Sequence, residues 1–227
     1  MTLQLVDKLF QLIGFLFAIS IHESAHAWTA NRRGDPTARM LGRVTLNPIK
    51  HIDPIGTVLL PVIAALTHFP MIGWAKPTPV DPRNFKNPVL DDILTSVAGP
   101  VSNFLVAICA LLTLSLIKFS SPLGQQIVSG IPYGLISPGM NSVLEPLSLL
   151  LYELMRINIM LGVFNLIPVP PLDGSHVLRH FLSANALRVY DTVGIFALMA
   201  LVFLGGGLLA KLIFPVVGVF DYVLLRR

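Results

Sequence analysis

The chain alternates between long apolar runs and shorter polar connectors. Five apolar regions stand out: residues 9–28, 55–66, 93–117, 147–167 and 193–214, the last followed by another apolar stretch at 216–220. Four of them reach about 20 residues, enough for a helix to cross a hydrocarbon core. The fourth carries Glu153, Arg156 and Asn158 within it. The second is short and contains Pro61. The first is read as a retained helix rather than a cleaved leader. Asp7 offsets Lys8, and the run ends in His22-Glu23-Ser24-Ala25-His26 instead of a small-residue cleavage site.

The connectors differ in charge. Residues 29–54 carry Arg32, Arg33, Arg39, Arg43 and Lys50 against Asp35 and Asp53, and residues 74–92 carry Lys76, Arg83 and Lys86 against Asp81, Asp91 and Asp92. Residues 120–146 hold no Lys or Arg. The positive-inside rule places the first two connectors in the cytoplasm and the third outside. With both flanks cytoplasmic, region 55–66 must re-enter rather than cross; the rival, a single crossing, would invert everything after it. Gly34-Asp35-Pro36 reads as a turn. Weak alternation over residues 38–46 suggests a short β-hairpin, and Arg39, Arg43 and Lys76 are expected to face headgroups. Pro77, Pro79, Pro82 and Pro88 make the second connector an extended loop. Near the C-terminus the sequence leaves the topology open: residues 193–214 can cross once, and Pro215 and Gly218 can turn the rest into a surface segment.

Composition agrees with this pattern. Of 227 residues, 54% are hydrophobic and 12% charged, with a mean hydropathy of +0.74. Soluble domains carry about a quarter charged residues. This excludes a soluble nucleic-acid binder and a secreted disulfide scaffold, since Cys109 is the single cysteine. The net charge of +4 serves orientation in a bilayer. The expected fold is an all-α polytopic membrane protein with a core of three transmembrane helices plus further apolar segments. It forms one membrane-embedded domain over residues 1–227, with its motifs within 9–182 and a C-terminal membrane segment at 193–220. No oligomeric state is set by the sequence.

Candidate chemistry begins with His22 and His26. Four residues apart on a helix, they stack on one face and can hold one Zn²⁺, and Glu23 follows the first as a candidate general base. Two imidazoles leave a catalytic zinc one protein ligand short. Asp173 is the best-placed carboxylate: it follows Pro168, Pro170 and Pro171, which break any helix, and precedes Gly174. Its rival role is a cap for a helix over 175–182. His51 reads equally as a site neighbour or an interfacial cap. His68 reads as a loop residue, and His176 and His180 as structural, with Arg179 beside them opposing a cation. Gly205-Gly206-Gly207 reads as a kink or close-packing site.

The chain resembles the site-2 protease family of intramembrane zinc metalloproteases, in its compact bacterial form. The matching elements are the His22–His26 motif, Gly34-Asp35-Pro36, residues 42–48, 51–57 and 73–77, Ala98-Gly99-Pro100-Val101-Ser102-Asn103, and residues 165–174 with Leu172-Asp173-Gly174. The resemblance implies His22, His26 and Asp173 as ligands of one zinc per chain and Glu23 as catalytic acid/base. It implies that Asn165 helps hold a substrate strand. The partner would be a membrane protein cut in or near its transmembrane segment, in the bacterial plasma membrane, with the active site near the cytoplasmic side and no nucleic acid involved. Residues 118–146 are too few for the peptide-binding domain that many relatives insert. The alternatives are a divalent-metal transporter using the same three residues, or an inactive membrane scaffold.

Overall fold

The computed structural model describes residues 3–66, 73–135 and 142–226. Every regular element among them is helical. α1 (Leu3–Arg33), α4 (Pro88–Ser120) and α6 (Leu144–Asn165) pack mutually as the core. Around them lie α2 (Thr37–Met40), α3 (Leu60–Leu66), α5 (Pro122–Gly130), α7 (Asp173–Arg179), α8 (Ala184–Leu204) and α9 (Gly206–Leu225). By length and composition α4, α6, α8 and α9 can each cross a membrane. α1 falls outside that set; His22, Glu23 and His26 dilute its apolar run, and it packs against α4 and α6.

Polar contacts fix the helix directions. Arg33 Nε donates to Asp91 Oδ1 at 2.6 Å, joining the end of α1 to the start of α4. Lys118, near the end of α4, donates to Leu224 O at 2.7 Å and Arg226 O at 3.0 Å. The terminal carbonyls of α9 lack intrahelical donors, so a buried ammonium there is well matched. α9 therefore runs with α4, and α1 against it. α6 also runs against α4: its early residues Leu149, Tyr152 and Met155 share a buried cluster with Leu114 of α4, Ile127 of α5 and Leu224 of α9. Ala107 and Ala110 of α4 lie in the same cluster, and their small side chains let α4 approach its neighbours closely.

Two expectations change here. No hairpin forms over residues 38–46. Asp35 instead accepts from Thr37 N at 3.1 Å and Thr37 Oγ1 at 2.5 Å, a turn that starts α2. Gly42 then reverses the chain at φ +68°. Nor does Arg43 face headgroups: it is buried, donating to Lys50 O and, at 3.3 Å, to Pro77 O. The C-terminal region, whose topology the sequence leaves open, is two helices that break at Gly205, where the glycine run reads as a kink, and Pro215 sits inside α9. A Cβ on Gly205 would stand 3.0 Å from Leu201 Cα, so the close approach at the break requires glycine.

The region around Pro61 behaves as a return. A π-helical turn (Pro54–Leu59) leads into α3. Thr57 Oγ1 donates to Trp74 O at 2.7 Å, and Trp74 N donates to Gly56 O at 3.3 Å. Trp74 thus lies back beside the start of this segment. His68 lies outside the described residues.

Asp35 anchors the first connector. It is fully buried and also accepts from Asp81 N at 2.8 Å and Asn84 Nδ2 at 2.9 Å. Burial pushes its pKa up, but the donors from Thr37, Asp81 and Asn84 outweigh it, and the net shift is below 3.8. A carboxyl depressed in the fold stabilises it above its unfolded pKa, and the contribution is lost as pH falls through the folded value. Asp35→Ala, which strands several donors, is expected to cost about 3 kcal/mol. The gap in apparent unfolding temperature between wild type and Asp35→Asn should narrow as pH drops below about 4. A gap that stays constant down to pH 3 would contradict this.

Candidate metal centre

α1 delivers His22, Glu23 and His26, all buried, into the bundle. The two imidazoles meet with their Nε2 atoms 3.0 Å apart. Asp173 arrives from the far side: Oδ2 lies 3.1 Å from His22 Nε2, and Oδ1 lies 3.4 Å from His26 Nε2. Among the described residues this is the one group of three such side chains close enough to share a metal ion.

The polarity of the trio indicates what fits between them. His26 Nδ1 lies 2.7 Å from Thr95 O, and His22 Nδ1 lies 2.6 Å from Asn103 Oδ1. A carbonyl only accepts, so each ring donates from Nδ1 and a neutral ring presents a lone pair at Nε2. Two lone pairs and a carboxylate then face one another, with Asp173 Oδ2 lacking any hydrogen-bond partner. Such a cluster of acceptors calls for a cation. Ligands about 2.0–2.1 Å from a tetrahedral zinc stand about 3.3 Å apart, close to the separations seen here. The residues present therefore fit zinc.

Gly99 of α4 makes the space. A Cβ built there would lie 2.6 Å from His22 Cε1 and closer still to His26 Nε2. Gly99 stands within a motif of the sequence, but only the packing of α4 against α1 shows that a side chain there would press on both imidazoles.

Asp173 is positioned by the loop before it and by α7. Residues 166–172 carry three prolines, and Gly174 packs so tightly that a Cβ would lie 2.8 Å from Ile167 O and nearer to Leu166 O. α7 begins at Asp173 itself, with Leu172 at the N-cap. The capping role for Asp173 over 175–182 is therefore not observed. His180 Nε2 meets Asp92 Oδ2 at 2.8 Å, and His176 Nδ1 meets Asp92 Oδ1 at 3.4 Å. These two histidines tie α7 to α4, and neither belongs to the trio.

Glu23 is held by the second connector. Thr78 N donates to Glu23 Oε2 at 2.8 Å, and Thr78 Oγ1 donates to Glu23 O at 3.0 Å. In Pro77-Thr78-Pro79 only Thr78 owns an N–H, and Glu23 receives it. This contact was hidden in the sequence; its signal was the single donor between two prolines. His51 is fully buried and pairs through Nε2 with Thr45 O at 2.8 Å, bracing the first connector rather than the trio. Asn165 ends α6 and donates to Leu161 O at 3.0 Å; among the described residues no hydrogen bond joins it to the trio.

With this geometry in hand, comparison with known proteins is decisive. The pattern describing peptidase family M50 matches residues 10–205. The chain belongs to peptidase family M50. Among its relatives is "Putative zinc metalloprotease YwhC" of Bacillus subtilis, 37% identical over 168 residues, which are 74% of this chain and 67% of that one. Another is "Putative zinc metalloprotease Rip2" of Mycolicibacterium smegmatis, 30% identical over 78% of this chain and 59% of that one. The Mycobacterium tuberculosis protein of that name is 26% identical over 85% of this chain and 65% of the relative. The M50 chain thus spans about three fifths to two thirds of these relatives. No solved structure matches it. Family M50 is the one implied by the resemblance to site-2 proteases, and with its four apolar helices the chain is a multi-pass membrane protein.

Proposed function

We propose that the chain is a zinc-dependent endopeptidase that hydrolyses peptide bonds in or near transmembrane segments of membrane proteins. One observation carries this reading: His22 and His26 of α1 and Asp173, far from them in sequence, bring three metal-binding atoms together, with Glu23 next to His22 on α1. The relatives' names point to the same metal and the same chemistry. The proposed setting is a bacterial plasma membrane, with the centre near the cytoplasmic face. Arg32, Arg33, Arg39 and Lys50 crowd the connector at that end, as the positive-inside rule requires.

His22, His26 and Asp173 would hold one zinc per chain. Zinc, when bound, supplies Lewis acidity that polarises the scissile carbonyl and makes a water a competent nucleophile near neutral pH. Glu23 accepts the proton of the attacking water and then delivers it to the leaving amine. Thr78 holds Glu23 Oε2 through its N–H, which keeps the carboxylate oriented and leaves Oε1 for proton transfer. Asn165, at the end of α6 next to the proline-broken segment, is proposed to steady the substrate strand. A helical substrate has its scissile carbonyls hydrogen-bonded, so it must unwind locally before attack.

The test is zinc content of the purified protein in detergent. Wild type is expected to hold one zinc and Asp173→Ala close to none, because two imidazoles alone form an incomplete site. Full zinc in Asp173→Ala, or none in carefully prepared wild type, would overturn the proposal.

A further inference from the structure

Two fully buried asparagines lie beside the centre: Asn103 on α4 and Asn158 on α6. They form a directed series of hydrogen bonds. Asn158 Nδ2 donates to Leu154 O, one turn back in its own helix, at 2.8 Å. That turns Asn158 Oδ1 toward Asn103, whose Nδ2 donates to it at 2.8 Å and reaches Ala18 O at 3.4 Å. Asn103 Oδ1 is therefore left facing His22 Nδ1 at 2.6 Å.

Each step is forced by the one before. Leu154 O and Ala18 O are main-chain acceptors, so both amides must present NH₂ to them. The last amide then presents oxygen to the imidazole, which must donate from Nδ1 and keep Nε2 unprotonated. The two nearby histidines differ here. His26 is oriented by Thr95 O, a main-chain atom that no substitution removes. His22 is oriented by a side chain, and that side chain by another on a third helix.

We propose that Asn103, backed by Asn158, is a positioning residue for the metal centre. The relay spans α6, α4 and α1 and fixes both the tautomer and the ring plane of His22. This inference rests on the zinc reading above. Outer hydrogen-bond partners of metal-binding histidines have this effect in general, and losing one weakens metal affinity by about 10–100-fold.

The experiment measures zinc dissociation constants by competition with a chromophoric chelator, using the full chain in detergent. Asn103→Leu, close in volume but without an acceptor, is expected to weaken zinc by about 10–100-fold. Asn103→Asp keeps an acceptor for His22 while losing the N–H groups that face Asn158 Oδ1 and Ala18 O; zinc affinity should stay within a few-fold of wild type. Asn158→Leu should weaken zinc less than Asn103→Leu, and the double variant should be no weaker than Asn103→Leu alone. Cobalt substitution adds a spectroscopic check: the ligand-field bands should shift in Asn103→Leu and not in Asn103→Asp. Wild-type affinity in Asn103→Leu, equal losses in the Leu and Asp variants, or losses that multiply in the double variant would each overturn the relay. If Asn103→Leu does not fold, the Asn103→Asp and Asn158→Leu measurements decide it. Failure of wild type to bind zinc would instead overturn the metal centre itself.

Discussion

Gly99→Ala is expected to abolish tight zinc binding while leaving the helical bundle assembled. The added methyl would sit within 2.6 Å of His22 Cε1 and nearer still to His26 Nε2, where no real Cβ is found. The rings cannot easily retreat, since each is tied through Nδ1, to Asn103 and to Thr95 O. Affinity should therefore fall by more than the ~100-fold upper bound typical of lost outer-shell contacts. Helix propensity acts in the opposite sense, because alanine favours a helix interior over glycine by about 1 kcal/mol. Helical content by circular dichroism and monodispersity in detergent should thus be unchanged while zinc is lost. A Gly99→Ala protein with full zinc would show that α4 and α1 lie further apart than described here.

Glu23→Gln should separate binding from chemistry. Glutamine has the volume of glutamate, and its side-chain oxygen can still accept the Thr78 N–H that Glu23 Oε2 accepts now. What it cannot do is take up a proton. General acid–base catalysis contributes about 10²–10⁴-fold, and cleavage should fall by that factor or more. Zinc content should match wild type, because Glu23 is not one of the three converging donors. The assay is cleavage of membrane-anchored reporters with varied transmembrane segments, wild type beside variant. A Glu23→Gln protein that still cleaves at the wild-type rate would remove Glu23 from the mechanism. Metal transport that survives in the variant, with no cleavage in wild type, would favour a transporter.

Much of the centre was legible in the sequence because it is written in local periodicity. His22 and His26 lie one helical turn apart, and their helix follows from a long apolar run. Asp173 was legible for the opposite reason: three prolines mark irregular backbone around a lone carboxylate. Gly99, Thr78 and Asn103 were not assigned roles because each acts on a residue far away in sequence, and for the same reason Asn158 read equally as functional or as a helix–helix contact. A glycine that clears space for a residue far away in sequence looks like any small residue in an apolar helix. The first connector misled for a related reason. Its weak alternation suggested strands, yet Asp35 gathers donors from Thr37, Asp81 and Asn84, and those long-range bonds outweigh a faint local pattern. At the C-terminus Pro215 drew attention as a breaker, but a proline can persist inside an apolar helix when its freed carbonyl is accommodated. The break fell at Gly205, where Leu201 leaves no room for a side chain.

The order of the three donors along the chain also bears on biosynthesis. His22 and His26 leave the ribosome early; Asp173 follows 147 residues after His26 (173 minus 26), and it reaches them only once α7 has docked on α4 through Asp92. During that interval the nascent chain carries two imidazoles and no carboxylate. On the proposed zinc reading, a half-made chain has two of its three donors and no complete centre until Asp173 has been synthesised.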